Sequence, residues 1–209
     1  MASHPAWLFF IGASLLLIAT PGQDMMLVMS RSLAHGPRAG VLAAAGVSVG
    51  LIGHSLLAAI GLGAILRASA PLFFALKLVG AAYLVYLGIG LLRTRAAALA
   101  TVASGARSPR RLFFDGAFSN LSNPKIAIFY FAFLPQFVPP QTTEPGATLL
   151  LLGLVFAGLT FLVKGPVALA AGLLSRWLRA RPGALAWLYR GSGAVLVGLG
   201  VKLAFDRRS

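Results

Sequence analysis

Cysteine is absent from the 209 residues. Disulfide frameworks, thiolate metal sites and thiol redox chemistry are therefore excluded. Acidic residues are almost absent: four Asp and Glu stand against 18 Lys and Arg, a net charge of +14. Charged residues of both signs make up only 11%, where soluble domains carry about 25%. In their place stand 58% hydrophobic residues and a mean hydropathy of +0.87. That balance excludes a soluble globular domain, and it excludes disorder, which needs low hydrophobicity and high charge. On a soluble chain the excess of cations would point to nucleic acid. Their placement decides otherwise.

A helix crosses a bilayer with roughly 20 apolar residues. Segments 41–66, 70–92, 112–138, 146–175 and 183–205 each meet that length, with few titratable groups inside. The N-terminal segment, about 5–33, is apolar except for a polar knot at 20–24. It lacks the basic start and the small-residue cleavage site of a signal peptide, so it reads as a retained helix. The expectation is an all-α integral membrane protein of six transmembrane helices, in one transport domain over 1–209. Barrel strands are excluded, because these runs are apolar on all faces and do not alternate. Gly46-x-x-x-Gly50 fits close helix packing in lipid, though such spacing is common in Gly-rich spans.

The cations sort by loop. Arg31 and Arg38 follow the first span; Arg93, Arg95, Arg107, Arg110 and Arg111 surround the third loop; Arg176, Arg179, Arg181 and Arg190 surround the fifth. The other side holds Arg67, Lys77, Lys202, Arg207 and Arg208. The positive-inside rule makes the richer side cytoplasmic and puts both termini outside. Charge spread along a membrane face leaves no nucleic-acid groove; membrane lipid and a small-molecule substrate are the expected partners, and a homo-oligomer is compatible with the pattern.

Two halves align weakly. Leu8-Phe9-Phe10-x-Gly12-Ala13 matches Leu112-Phe113-Phe114-x-Gly116-Ala117, and Lys77-x-x-Gly80-Ala81 matches Arg190-x-x-Gly193-Ala194. The expected repeats cover about 5–95 and about 110–206, joined by a cytoplasmic linker at about 94–109. Three spans per unit is an odd number, so the second unit enters inverted, as in many transporters whose substrate site lies near the midplane.

The first span of each half carries a proline at similar depth. Thr20-Pro21-Gly22 and Asn123-Pro124 lie roughly 20–25 Å along their helices. Thr and Asn are N-cap residues, and Pro is favoured at the first helical position. Both breaks therefore read as helices restarting inside the membrane, with free N–H groups and positive dipole ends turned to a carboxylate. The alternative is a pair of simple proline kinks.

Ionisable groups lie close by. Asp24 is one turn past Pro21, and Lys125 follows Pro124. Asp24 is a candidate for binding an ammonium group or carrying a proton. Lys125 either supports a carboxylate or pairs with Asp24. Gln23 and Asn120 are further candidates to line the same site, with interhelical bonding as the alternative for Asn120. His54, mid-span, reads as either a satisfied neutral imidazole or a proton-coupling group. Lys164 is a buried charge whose simplest role is pairing or snorkelling. Asp115 reads as an interfacial charge beside Arg110 and Arg111. No cofactor or metal is expected, and no catalytic residue. The chain has no Gly-x-x-x-x-Gly-Lys-Ser/Thr motif for ATP, no nucleophile motif and no His/Asp/Glu cluster at ligand spacing.

These residues also carry a family pattern. Thr20-Pro21-Gly22-Gln23-Asp24-Met25 with Arg31-Ser32-Leu33-x-x-Gly36-x-Arg38-Ala39-Gly40 resembles the start of the LysE/RhtB-type amino-acid exporters. So do Leu76-Lys77-x-x-Gly80-Ala81-Ala82-Tyr83-Leu84-x-Tyr86-Leu87-Gly88, Asn120-Leu121-x-Asn123-Pro124-Lys125 and Phe133-Leu134-Pro135-Gln136-Phe137. The resemblance covers nearly the whole chain in order. It implies a multi-pass protein of the bacterial inner membrane that exports amino acids or related metabolites by proton-driven secondary transport, an antiporter. Where the family has Pro-Gly-Pro, this chain has Gln23 in place of the second proline. The competing expectations are an ion or metal exporter of similar architecture and a membrane-embedded enzyme.

Overall fold

The computed structural model describes residues 4–68, 70–94, 108–139 and 142–205. Among them every regular element is helical. α1 (His4–Ala19) and α2 (Gln23–His35) are one apolar run broken at 20–22, where the chain turns by 53°. Gly36 then takes φ +88, the only positive φ among the described residues. Its N–H bonds the Ser32 carbonyl at 2.9 Å and closes α2 in a conformation that favours glycine. Pro37 immediately starts α3 (Pro37–Ala68), followed by α4 (Ala70–Arg93).

The described chain resumes at Ser108. α5 (Pro109–Leu121) starts on Ser108, whose hydroxyl accepts the Arg111 N–H, and on Pro109. It breaks before α6 (Pro124–Phe133), which runs into a 3-10 turn at Leu134–Phe137. α7 (Pro145–Leu169) carries Pro166 inside the helix. The sequence predicts one segment over 146–175, but the structure divides it: Ala170 separates α7 from the short α8 (Ala171–Ala180). Arginines on α8 and apolar Leu173 and Trp177 make it two-faced rather than apolar all round, which suits an interface better than a hydrocarbon core. α9 (Pro182–Phe205) closes the described chain.

Three described helices are long and apolar enough to cross a membrane singly: Pro37–Ile65, Pro145–Leu169 and Gly183–Phe205. The bent α1–α2 pair makes a fourth. The connector at 95–107, and with it Arg95 and Arg107, lies outside the described residues, as do Asp206, Arg207 and Arg208.

Glycines set the packing. A Cβ on Gly46 of α3 would fall on the Phe113 carbonyl oxygen of α5, and one on Gly116 of α5 would fall on the Ala43 carbonyl oxygen of α3. Gly50 comes up against Ala117 and Asn120 one turn further on. The weakly indicative Gly46-x-x-x-Gly50 pair is thus a true contact stripe, and the residue order makes α3 and α5 parallel. Gly63 of α3 meets Gly146 of α7, and Gly153 of α7 meets Ser55, so those two helices run antiparallel. α4 and α9 are antiparallel as well, with Gly88 against Gly193 and Ala81 against Gly200.

Candidate functional site

The site forms where the two broken helices meet. Their breaks are built differently. Asn123 caps α6: its side-chain oxygen accepts the Lys125 N–H at 3.0 Å, and its carbonyl accepts from Ile126 at 3.0 Å and Ala127 at 3.3 Å. Pro124 has no N–H to satisfy. The predicted cap at Asn123-Pro124 is present, and it consumes the donors at that helix start.

The first break departs from the expectation. Thr20 does not cap α2. Its hydroxyl donates back to the Leu16 carbonyl at 2.8 Å and also contacts the Ser192 hydroxyl of α9, so Thr20 closes α1. Pro21 sits in the connecting segment, Gly22 is the N-cap residue and has no side chain to act as one, and Gln23 is the first helical residue. The N–H groups of Gln23, Asp24 and Met25 carry no hydrogen bond to another described residue. The physical reason is local: a threonine hydroxyl one turn past Leu16 bonds back to its own helix more readily than forward across a proline and a glycine.

Asp24 lies at the centre. Its side chain is 8% exposed. Oδ2 accepts from Asn120 Nδ2 at 2.8 Å and pairs with Lys164 Nζ of α7 at 3.4 Å. Oδ1 is buried without a partner. The partner of Asp24 is therefore Lys164 and not Lys125, because α7 packs beside α2, while Lys125 is exposed at the cavity border. Gln23 bridges the breaks: its Oε1 accepts from Asn123 Nδ2 at 3.0 Å, and its Nε2 donates weakly to Ser119 Oγ at 3.5 Å. The residue that departs from the family's proline is thus an amide cross-link between the two restarts.

A cavity of about 740 Å³ opens against these groups. Thr20, Pro21, Gly22, Gln23, Asp24, Asn123, Lys125 and Lys164 border it. The predicted residues Asn120 and His54 do not. Asn120 is fully buried behind Asp24, and its backbone carbonyl faces His54 Nε2 at 3.2 Å. His54 thereby braces the α5 end rather than facing the cavity. Pro124 starts α6 but does not border the cavity either. Asp115, read as an interfacial charge beside Arg110 and Arg111, pairs across to Arg31 of α2 at 3.4 Å.

The walls are apolar: Leu51, Phe129, Phe156 and Leu196 among others, with Tyr130 and Thr160 beside them. Sequence reading misses these. A signal for Phe129 existed in its spacing, one helical turn from Lys125 on the same face. At one end the cavity reaches the last turn of α4 at Arg93 and Thr94. Away from it, beyond Phe129, the rings of Phe133, Phe137 and Phe10 pack at centroid separations of 5.0–5.8 Å and fill the space.

Several apolar helices around a solute-sized, partly polar cavity define a multi-pass membrane protein with an internal binding chamber. Residues 15–207 match the family described as LysE type translocator, and the chain belongs to that family. It is a transporter and not an enzyme. An uncharacterized membrane protein of Pseudomonas aeruginosa is 34% identical over 203 residues, 95% of this chain and 94% of the relative. The homoserine/homoserine lactone efflux protein of Salmonella typhimurium is 33% identical, covering 97% and 98%. The leucine efflux protein of an Enterobacter species is 28% identical, covering 95% and 94%. No solved structure matches.

Proposed function

We propose that this chain exports amino acids or related small zwitterionic solutes across the bacterial inner membrane. Transport is secondary and proton-coupled, by alternating access through six spans in two inverted three-span repeats. The spans are α1–α2, α3, α4, α5–α6, α7 and α9. Supporting the inversion, the equivalent helices α3 and α7 run antiparallel, as do α4 and α9. Supporting the substrate class, two relatives are named for efflux of homoserine and of leucine.

The observation that carries the reading is the chemistry around the cavity. A zwitterion needs a cationic or N–H-rich partner for its carboxylate and an acid for its ammonium. The uncapped start of α2 offers the free N–H groups of Gln23, Asp24 and Met25, and the exposed Lys125 ammonium borders the same space. These take the carboxylate. Asp24, the only acid among the described residues that border the cavity, takes the ammonium. The apolar wall of Leu51, Phe129 and Phe156 receives the side chain. By the cation count, the Arg93 end of the cavity faces the cytoplasm, and both chain ends face outward.

The test is export from cells loaded with dipeptides that release a broad amino-acid panel. Wild type is expected to raise the external concentration of a subset, and Asp24→Asn to lower that export at least tenfold. Equal export by both would remove Asp24 from the site. No export by wild type across the panel would overturn the substrate class.

A further inference from the structure

The buried ion pair raises a question that the substrate reading leaves open. If Asp24 receives the ammonium of the solute, it already holds one cation: Oδ2 is engaged, and Oδ1, although unpartnered, is buried. Lys164 Nζ lies 3.4 Å from Asp24 Oδ2, both side chains are 8% exposed, and both border the cavity. Asp24 is also the one ion-pair and hydrogen-bond partner of the Lys164 ammonium among the described residues. Two cations sharing one carboxylate in a low-dielectric pocket repel each other and are costly. Neutralising one of them relieves that cost.

We propose that Lys164 is the proton-carrying residue of this transporter, discharged when the ammonium of the solute displaces it from Asp24. The inference rests on the reading of the cavity as the amino-acid site. In the empty protein Lys164 is the ammonium partner of Asp24. The solute enters and its own ammonium pairs with Asp24. Lys164 Nζ gives one proton to water in the cavity and remains as a neutral amine. When the solute leaves on the other side, Lys164 takes a proton from that side and restores the pair. The balance is one proton inward for each solute outward, an antiport with no further reactant.

The surroundings narrow the choice of carrier. The other titratable or charged groups around the cavity and the pair, among the described residues, are Tyr130 and Lys125 of α6, His54 of α3 and, on α4, Tyr86 and Arg93. Arg31, further along α2, is engaged with Asp115. His54 is screened from the cavity by Asn120 and keeps its Nε2 on the Asn120 carbonyl. Lys125 is exposed and has no acid within pairing distance among the described residues. Only Lys164 has a bond that a solute ammonium would break.

The experiment is equilibrium binding of L-leucine and of L-homoserine to the purified full-length protein between pH 6 and 8, where both amino groups stay protonated. Linkage fixes the expected result: release of one proton on binding raises affinity about tenfold per pH unit. Wild type should follow that slope and should acidify a weakly buffered solution by one proton per solute bound. Lys164→Gln should bind with a flat pH profile and release none, and His54→Gln should keep the wild-type slope. The wild-type slope needs no variant to fold. A flat wild-type profile overturns the proposal. So does a slope retained in Lys164→Gln, or one lost in His54→Gln. No binding of either amino acid, and no export of any in the panel above, overturns the functional reading itself.

Discussion

Asp24 has one oxygen doubly engaged and the other buried with no partner. Removing either member of such a pair leaves an uncompensated buried charge, which costs about 3–5 kcal/mol. Asp24→Ala should therefore lower the thermal midpoint of the purified protein more than Asp24→Asn combined with Lys164→Met, which removes both charges; fluorescence-detected size exclusion after heating reads the difference. The sequence marked Asp24 clearly, because one acid stood alone in a long apolar run. It marked Lys164 only as a second costly charge. Nothing local to 164 says which of four acids it meets, since that depends on α7 packing beside α2 across 140 residues of chain. The candidate pair Asp24–Lys125 was the choice nearest in motif, and three-dimensional packing overrode it.

At the scale of the element, the two breaks look alike in sequence and differ in structure. Asn123→Ala should remove a real cap worth about 1 kcal/mol, together with its bond to Gln23. Thr20→Ala removes no cap of α2 and should cost less in thermal stability, while loosening the contact of α1 with α9. Measured together by thermal unfolding, the pair checks the asymmetry. The proline positions were legible because Pro has a fixed φ and no N–H wherever it stands. The cap at Thr20 was not, because Ser and Thr hydroxyls choose between forward and backward partners according to the turn that follows. The glycines divide in the same way. Gly46→Leu should abolish folded protein, because its side chain has to occupy a backbone carbonyl of α5, whereas Gly61→Ala meets nothing within 4 Å and should be neutral. The yield of monodisperse protein in detergent separates them. In the sequence Gly46 stands out only through a Gly-x-x-x-Gly spacing that is common in such spans, and Gly61 is one more glycine among 24.

For the whole molecule, the absence of cysteine turns orientation into a direct measurement. Thr143→Cys in the loop before α7, and Ser108→Cys at the start of α5, are both exposed. A membrane-impermeant maleimide applied to intact spheroplasts should label Thr143→Cys at once and Ser108→Cys only after permeabilisation. The reverse pattern would invert the proposed topology. Membrane class and helical content were legible throughout, because apolar runs of this length have few other solutions in lipid. The family pattern was legible from short motifs kept in order. The division at Ala170 was hidden, since Ala and Leu on either side fit a continuing helix equally well.

The glycine contacts carry a consequence for motion. The tightest backbone-against-backbone seams join an element before residue 94 to one after residue 108: α3 to α5, α3 to α7, and α4 to α9. Close-packed contacts of this kind slide poorly, since any shift drives a carbonyl into its neighbour. The sequence halves are therefore poor candidates for the moving bodies. The seams rivet them together into a frame, in which Gly40 of α3 also seats against the Val28 carbonyl of α2 and Gly80 of α4 against the Ala132 backbone of α6.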